Sequence, residues 1–191
     1  MYLKLIEGPT EVPVDLPAAR AHVREPLTAN DAQIQFALDA AIAHVDGKDG
    51  VLGRALCPQT WELVLDAFPC RRMEIPLPPL QSVTWIKYID TAGVEQTLSD
   101  SSYWVGTAAE PAIIQACYSW PATQCRPEAV RIRFVAGYAD TDAVPSPIKS
   151  AILLLMGDLY ENREASIIGT IQTDNPAVDR LLFPYRVNLI A

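Results

Sequence analysis

The chain reads as an α+β protein: a helical frame of two N-terminal helices and one long and one short C-terminal helix, with an antiparallel β-rich domain inserted. Three observations predict this. Apolar residues recur at helical spacing at Ile34, Leu38, Ala41, Ile42 and Val45, and again at Ile148, Ala151, Ile152, Leu155 and Leu159. Between these stretches, from Thr60 to Val135, the apolar period falls to two. Helices and strands are segregated along the chain, which argues against a parallel α/β sheet.

Residues 1–14 read as an extended N-terminal arm. Asp15 caps a short helix with Pro17 in its first turn, running from Leu16 to about Arg24 and stopping at Pro26. Thr28, Asn30 and Asp31 supply a cap and a first-turn acid for the second helix, and Gly47, Gly50 and Gly53 end it. Trp61, Leu63 and Leu65 then alternate with Thr60, Glu62 and Val64, the signature of a strand. Pro69, Pro76, Pro78 and Pro79 forbid helix in the next stretch. Ser82 to Ile89 is a second strand, Asp90-Thr91-Ala92-Gly93 a turn, and Val94 to Leu98 the return. Shorter strands are expected at Tyr103–Val105 and Ile113–Cys117, and Ala129 to Val135 alternates again, giving about six in all. Ser146-Pro147 is a cap with proline at the first helical position, opening a helix that reaches about Ala165 and spans roughly 28 Å. Ile167 to Thr173 reads as a loop. Asn175-Pro176 repeats the cap signal before a short helix carrying Val178, Leu181 and Leu182, which Pro184 ends.

The division is therefore an arm at 1–14, N-terminal helices at 15–53, a β-rich insertion at 54–138, a long helix and loop at 139–173, and a short helix and tail at 174–191. Together they make one structural unit. The expected core is Leu38, Ile42, Trp61, Leu63, Val83, Ile132, Ile148, Ile152, Leu155 and Leu159.

Half of the 191 residues are hydrophobic, enough for a sizeable core. Lys and Arg number 15 against 23 Asp and Glu, a formal charge of −8. A protein that grips DNA or an anionic membrane needs a basic face, and this balance argues against both. Arg71-Arg72 and Arg131/Arg133 are the only basic clusters, too few for a nucleic-acid footprint. No apolar run approaches the roughly 18–20 residues that span a bilayer, and Met1 to Glu7 is too short and acidic for a signal peptide. The expected site of synthesis is the host cytoplasm.

Catalytic and metal patterns are sought and not met. Gly47-Lys48-Asp49-Gly50-Val51-Leu52-Gly53 follows a helix and lacks the order of a phosphate-binding loop; it reads as a helix cap and turn. No G-x-S-x-G occurs, and His22 and His44 sit on predicted helices as surface residues. Asp140-Thr141-Asp142 is a polar turn rather than a cation site. Glu161 and Glu164 share a helix face without the E-x-x-H of a di-metal centre. Cys57, Cys70, Cys117 and Cys125 form no C-x-x-C pair and lie far from either histidine, so buried free thiols are expected. Trp61, Trp85, Trp104 and Trp120 lie on or beside strands and are assigned to core and inter-subunit packing. No catalytic, metal or cofactor-binding residue is assigned, and no cofactor is expected.

One pattern spans nearly the whole chain. Its pieces are the helix Leu16–Arg24, then Asp31 with the apolar helix ending near Asp46, Gly53-Arg54-Ala55-Leu56, and Gln59-Thr60-Trp61. Ile75-Pro76-Leu77-Pro78-Pro79-Leu80-Gln81-Ser82-Val83 comes next, then Tyr88-Ile89-Asp90 with Gly93, Ser119-Trp120-Pro121 and Val135-Ala136-Gly137-Tyr138. Val144-Pro145 with Ile148-Lys149, Tyr160-Glu161-Asn162-Arg163-Glu164, and Leu181-Leu182-Pro184-Tyr185-Arg186 with Phe183 interposed complete it. In this order the phrases resemble the head–tail connector, or adaptor, proteins of long-tailed phages and gene transfer agents.

The resemblance implies a structural protein of the virion neck rather than an enzyme. It implies a ring of about twelve copies on the portal that extends the DNA channel toward a stopper or tail-completion protein. DNA would pass through the lumen without sequence-specific binding, which suits an acidic wall. Carried over to this chain, the portal contact falls on Asn175, Pro176, Leu181, Leu182, Phe183, Pro184, Tyr185 and Arg186. The resemblance is carried over to no other segment; Tyr160, Glu161, Arg163 and Glu164 at the end of the long helix read from their own charges as a solvated or subunit-facing salt-bridge patch, and contacts between copies are expected there. A short helix of this kind must pack on its own domain or on a neighbour. If it is mobile before assembly, truncation at Asp174 spares most of the stability and abolishes portal binding; the alternative is that it completes the monomer core, and then the same truncation lowers the melting temperature markedly. The rival reading is a small-ligand or carbohydrate-binding β-domain of a virion appendage with a concave aromatic site.

Overall fold

The computed structural model describes residues 1–162 and 176–187. In chain order the elements are β1 (Tyr2–Glu7), α1 (Leu16–Val23), α2 (Asp31–Val45), β2 (Gln59–Leu65), β3 (Arg72–Ile75) and β4 (Leu80–Ile89). Then come β5 (Glu95–Thr97), β6 (Tyr103–Gly106), β7 (Ala112–Ala116), β8 (Val130–Ala136), α3 (Ser146–Glu161) and α4 (Pro176–Leu182). This is the predicted α+β class. The chain divides into two compact units. One is Met1–Glu11 with Arg54–Asp140; the other is Val12–Gly53 with the described residues from Thr141 onward.

The first unit is two antiparallel sheets around one core. The larger has the order β1-β2-β8-β4-β5, the smaller β3-β7-β6. Strand alternation sends Trp61 and Leu63 of β2, Ile86 of β4, and Ile132 and Phe134 of β8 to the inner face. There they meet Met73 and Ile75 of β3 and Ile114 of β7 in a single buried cluster. Val83 packs against its margin. The expected turn after β4 is present: the Asp90 carboxylate accepts from the backbone N–H groups of Ala92 and Val94, each at 2.9 Å. Gly93 supplies the positive φ of 83°. These bonds, with the Gln96 amide foremost, hold the Asp90 carboxyl below its usual range.

Two strands escape the sequence reading. The expected arm contains β1, which pairs with β2 through Tyr2↔Val64 and Leu5↔Trp61 and places Leu3 against the core. β3 is only four residues long, set between Pro69 and Pro76, yet its alternation is complete: Met73 and Ile75 are buried, Arg72 and Glu74 exposed.

Two phenols are displaced from their ordinary value. Tyr2 is pushed up to about 12, first by its hydrogen bond to Glu128. Tyr103 is pushed up to about 12, first by burial and then by its hydrogen bond to Asp100 at 3.0 Å. Both folded values exceed the unfolded value near 10.0, so the neutral phenols stabilise the fold fully below that pH. This contribution is lost as pH rises through about 12. An ultraviolet titration of the folded protein should show two late tyrosines, and Tyr103→Phe should remove one. A single ordinary transition for all tyrosines would contradict these contacts.

In the second unit α3 packs on α1, α2 and α4. Asp15 caps α1 as expected, its carboxylate accepting from the Ala18 N–H at 2.9 Å. Arg20 of α1 pairs with Asp31 at the start of α2 at 3.4 Å. Ser146 does not cap α3: Pro145 holds the cap position and makes no side-chain bond, and Ser146 is the first helical residue. α3 ends at Glu161, short of Ala165; the expected loop Ile167–Thr173 lies outside the described residues.

The inner stripe of α3 also differs from expectation. Ile148, Ala151, Ile152 and Met156 are buried, Leu155 is half-buried, and Leu159 is 47% exposed. Both 152→155→159 and 152→156 are legitimate helical ridges. The partners lie on the second, so Met156 takes the place that Leu159 was expected to extend. Of the core named on α2, Leu38 is buried and Ile42 half-buried, while Ala41 and Val45 are closed off from solvent. Ile152→Ala should therefore cost about 2–5 kcal/mol. Leu159→Ala should cost less than about 0.5 kcal/mol. Urea unfolding of the two variants checks the phase, and a reversed ranking would refute it.

The four cysteines stand as thiols, but only Cys57 is buried. Cys117 is half-buried, and Cys70 and Cys125 are exposed, because they fall in the loops flanking the small sheet rather than on inward strand positions.

Candidate interface surfaces

Among the described residues no group of three or more His, Cys, Asp or Glu is placed to hold a metal ion, and no helix is long and apolar enough to cross a membrane. Asp140 and Asp142 lie exposed on the segment between β8 and α3, and His22 and His44 lie exposed on α1 and α2. The glycine-rich segment closes α2: Val51 N–H reaches the His44 carbonyl at 2.9 Å. A Cβ on Gly50 would lie 2.4 Å from the Asp46 carbonyl oxygen, which explains the glycine without a phosphate.

The C-terminal segment is divided between inside and outside. Val178 and Leu182 are buried, at 7% and 1% exposure, on the side where α4 meets α3. Val187 N–H donates to the Leu52 carbonyl at 2.9 Å, tying the chain to the loop after α2. Leu182, expected at an external contact, is therefore part of its own unit's core. Truncation at Asp174 removes that part of the core, so it should lower stability rather than spare it. What remains outside is Pro176, half of Leu181, Phe183 at 73% exposure, Pro184, half of Tyr185, and Arg186, which pairs with Asp179 at 2.7 Å. Asn175 lies outside the described residues. Of the residues expected between copies, Tyr160 is half-buried and Glu161 exposed at the end of α3; Arg163 and Glu164 lie outside the described residues.

The outer face of the larger sheet carries a network that sequence reading missed. Glu62 of β2, buried, accepts from Arg133 of β8 at 2.9 Å. The Arg133 guanidinium lies over the Trp85 ring at 4.8 Å, and Lys87 approaches the same ring at 5.2 Å. Lys87 and Arg131 both pair with Glu95 of β5. The Lys87 hydrogen bond, then the Arg131 charge, hold the Glu95 carboxyl below its usual range. The signal was available: Arg131 and Arg133 alternate with apolar residues on β8, so they had to share one face with Glu62. Arg133→Ala should cost about 1–3 kcal/mol by stranding the Glu62 carboxylate. Thermal unfolding checks this, and an Arg133→Ala variant as stable as the parent would show the pair to be dispensable.

The four tryptophans divide. Trp61 is core, Trp85 lies under the cations, Trp104 is 61% exposed on the edge strand β6, and Trp120 stacks on Phe68 with centroids 4.7 Å apart and planes at 1°. The Phe68–Trp120 pair floors an open groove between segments 67–72 and 115–123. The helical unit exposes Leu27 and Phe36, at 65% and 78%. Phe36 stands on the α2 face opposite Ile34, Leu38 and Ala41.

No family model and no curated protein matches the chain. Solved structures do. The chain is similar to a protein in the neck of an empty gene transfer agent particle computed with C6 symmetry, at 25% identity and a TM-score of 0.80. It is similar to one in the virion of a native gene transfer agent particle, at 24% and 0.81. A third lies in the neck of the native particle computed with C12 symmetry, at 25% and 0.76. Each similarity covers 100% of this chain and 98% of the other. The chain thus has, end to end, the fold of gene transfer agent neck and virion components, in agreement with the connector resemblance of its sequence.

Proposed function

We propose that the chain is a structural, non-enzymatic subunit of the neck of a tailed phage or phage-like particle: a head–tail connector. In this reading about twelve copies form a ring on the portal and extend the DNA channel toward the stopper or tail. The observation that carries it is the full-length similarity, at 25% identity and a TM-score of 0.80, to a gene transfer agent neck protein. The C12 symmetry of a second similar neck supports the copy number. The charge of −8 suits a conduit along which DNA must slide without sticking. We assign the portal contact to the exposed part of the C-terminal segment, Phe183 to Arg186, and one contact between copies to the end of α3, at Tyr160 and Glu161. Electron microscopy of the purified protein mixed with its portal tests the reading. Rings of about twelve copies seated on the portal are expected. A monomer or trimer that never joins the portal would overturn it in favour of an appendage domain.

A further inference from the structure

The β-rich unit carries two complementary surfaces at opposite ends of its larger sheet. At the end where β2 finishes lies the open groove, about 1170 Å³ in volume. Its floor is fixed: Phe68 stacks on Trp120, and the Trp120 indole N–H donates to the Arg71 carbonyl at 3.3 Å. Tyr118 stands fully exposed at the rim. Arg71 and Arg72 are exposed beside it; Arg72 reaches Glu74 only at 4.0 Å, and among the described residues Arg71 has no acidic partner. Among the described residues no carboxylate lines the groove, in a chain with 23 of them.

At the opposite end the chain leaves β1 as Glu7-Gly8-Pro9-Thr10-Glu11, exposed along its whole length. Two carboxylates flank a proline. Glu7 accepts from the Thr60 hydroxyl at 3.3 Å, and Glu11 makes no bond within the described residues. The antiparallel register Tyr2↔Val64 and Glu7↔Thr60 puts this connector at the start of β2, whereas the groove follows its end at Leu65. The seven residues of β2 separate them by about 20 Å. A copy therefore cannot fill its own groove with its own connector.

We infer that the groove binds the connector Glu7–Glu11 of a second copy, strapping neighbours head to tail. The inference rests on the ring reading above. A closed ring needs two different patches that fit each other, and an acidic proline-bearing strap with an arginine-edged aromatic groove is such a pair. Extended proline-bearing segments lie well on aromatic floors, and arginine forks hold carboxylates at their edge.

Cys70 lines the groove and is exposed, which allows a direct test. Thr10→Cys is introduced with Cys117→Ser and Cys125→Ser, rings are assembled on the portal, and the protein is mildly oxidised. Covalent ladders are expected, joined by a disulfide between Cys70 of one copy and the thiol introduced at position 10 of the next, and identified by peptide mass. Adding Arg71→Glu and Arg72→Glu should cut their yield roughly tenfold while thermal stability holds. Exchanging the charges, with Glu7→Arg and Glu11→Arg in addition, should restore it. Intact rings without this link would overturn the strap and leave the ring reading standing. Absence of rings in the parent protein would sink both.

Discussion

Gly137→Ala should be the most damaging small substitution in the β-rich unit, lowering its unfolding free energy by roughly 2–6 kcal/mol. Gly137 follows β8 with φ of 121°, a conformation closed to residues with a Cβ. Space is closed as well: a Cβ there would lie 2.2 Å from the Cys57 carbonyl oxygen, 2.4 Å from its carbon and 2.9 Å from the Pro58 nitrogen. All three are backbone atoms, so no rotamer change relieves the clash. The same residue knots three segments together. Its N–H donates to the Pro79 carbonyl at 2.9 Å, and its carbonyl accepts from the Gln81 amide at 3.0 Å. Moving it aside breaks the entry to β4 and β2 together. Gly8→Ala, where nothing lies within 4 Å of the new Cβ, is the control and should stay within about 0.5 kcal/mol. Urea midpoints that place the two variants together would show that the Gly137–Cys57 approach is wrong.

What could be read in the sequence was whatever repeats with a period. β2, β4 and β8 announce themselves through Trp61/Leu63, the Val83 to Ile89 run, and Ile132/Phe134, because an inner face must be apolar at every second residue. The Asp90–Gly93 turn was legible because its side chain and its glycine each have a specific local task. Elements that lean on a partner were not. β1 exposes Tyr2, Lys4 and Leu5 and exists because β2 offers an unpaired edge, which no local pattern reports. β3 is too short to show a period between its prolines. The α3 stripe was right in kind and shifted in phase, since Leu153, Leu154 and Leu155 offer apolar side chains in almost every direction and only the partner helices choose among them. The interface surfaces were least legible of all. The arginine pair at 71–72, the Phe68–Trp120 stack and the Glu7–Glu11 connector are far apart in sequence, and their relation appears only when the β1–β2 register sets them at opposite ends of one sheet.

The C-terminal segment gives the second large effect. Phe183→Ala should weaken portal binding by about 2 kcal/mol or more, roughly thirtyfold, while leaving the stability of the helical unit within about 0.5 kcal/mol. The ring is 73% exposed beside Pro184 and Arg186, and the three-residue turn Phe183–Tyr185 that carries it is anchored on both sides. Leu182 plugs into the core before it, and Val187 bonds to Leu52 after it. An exposed aromatic on an anchored turn loses little freedom on binding, which is what makes such a residue an efficient contact. Leu182→Ala is the opposite case: it should cost about 2–5 kcal/mol of folding stability and weaken binding only through unfolding. Measuring both variants by thermal unfolding and by portal pull-down separates a docking residue from a core residue one position away. Unchanged portal affinity in Phe183→Ala would remove the C-terminal segment from the portal contact and direct the search to the connection between α1 and α2 and the outer face of α2, where Leu27 and Phe36 respectively stand out in exposure.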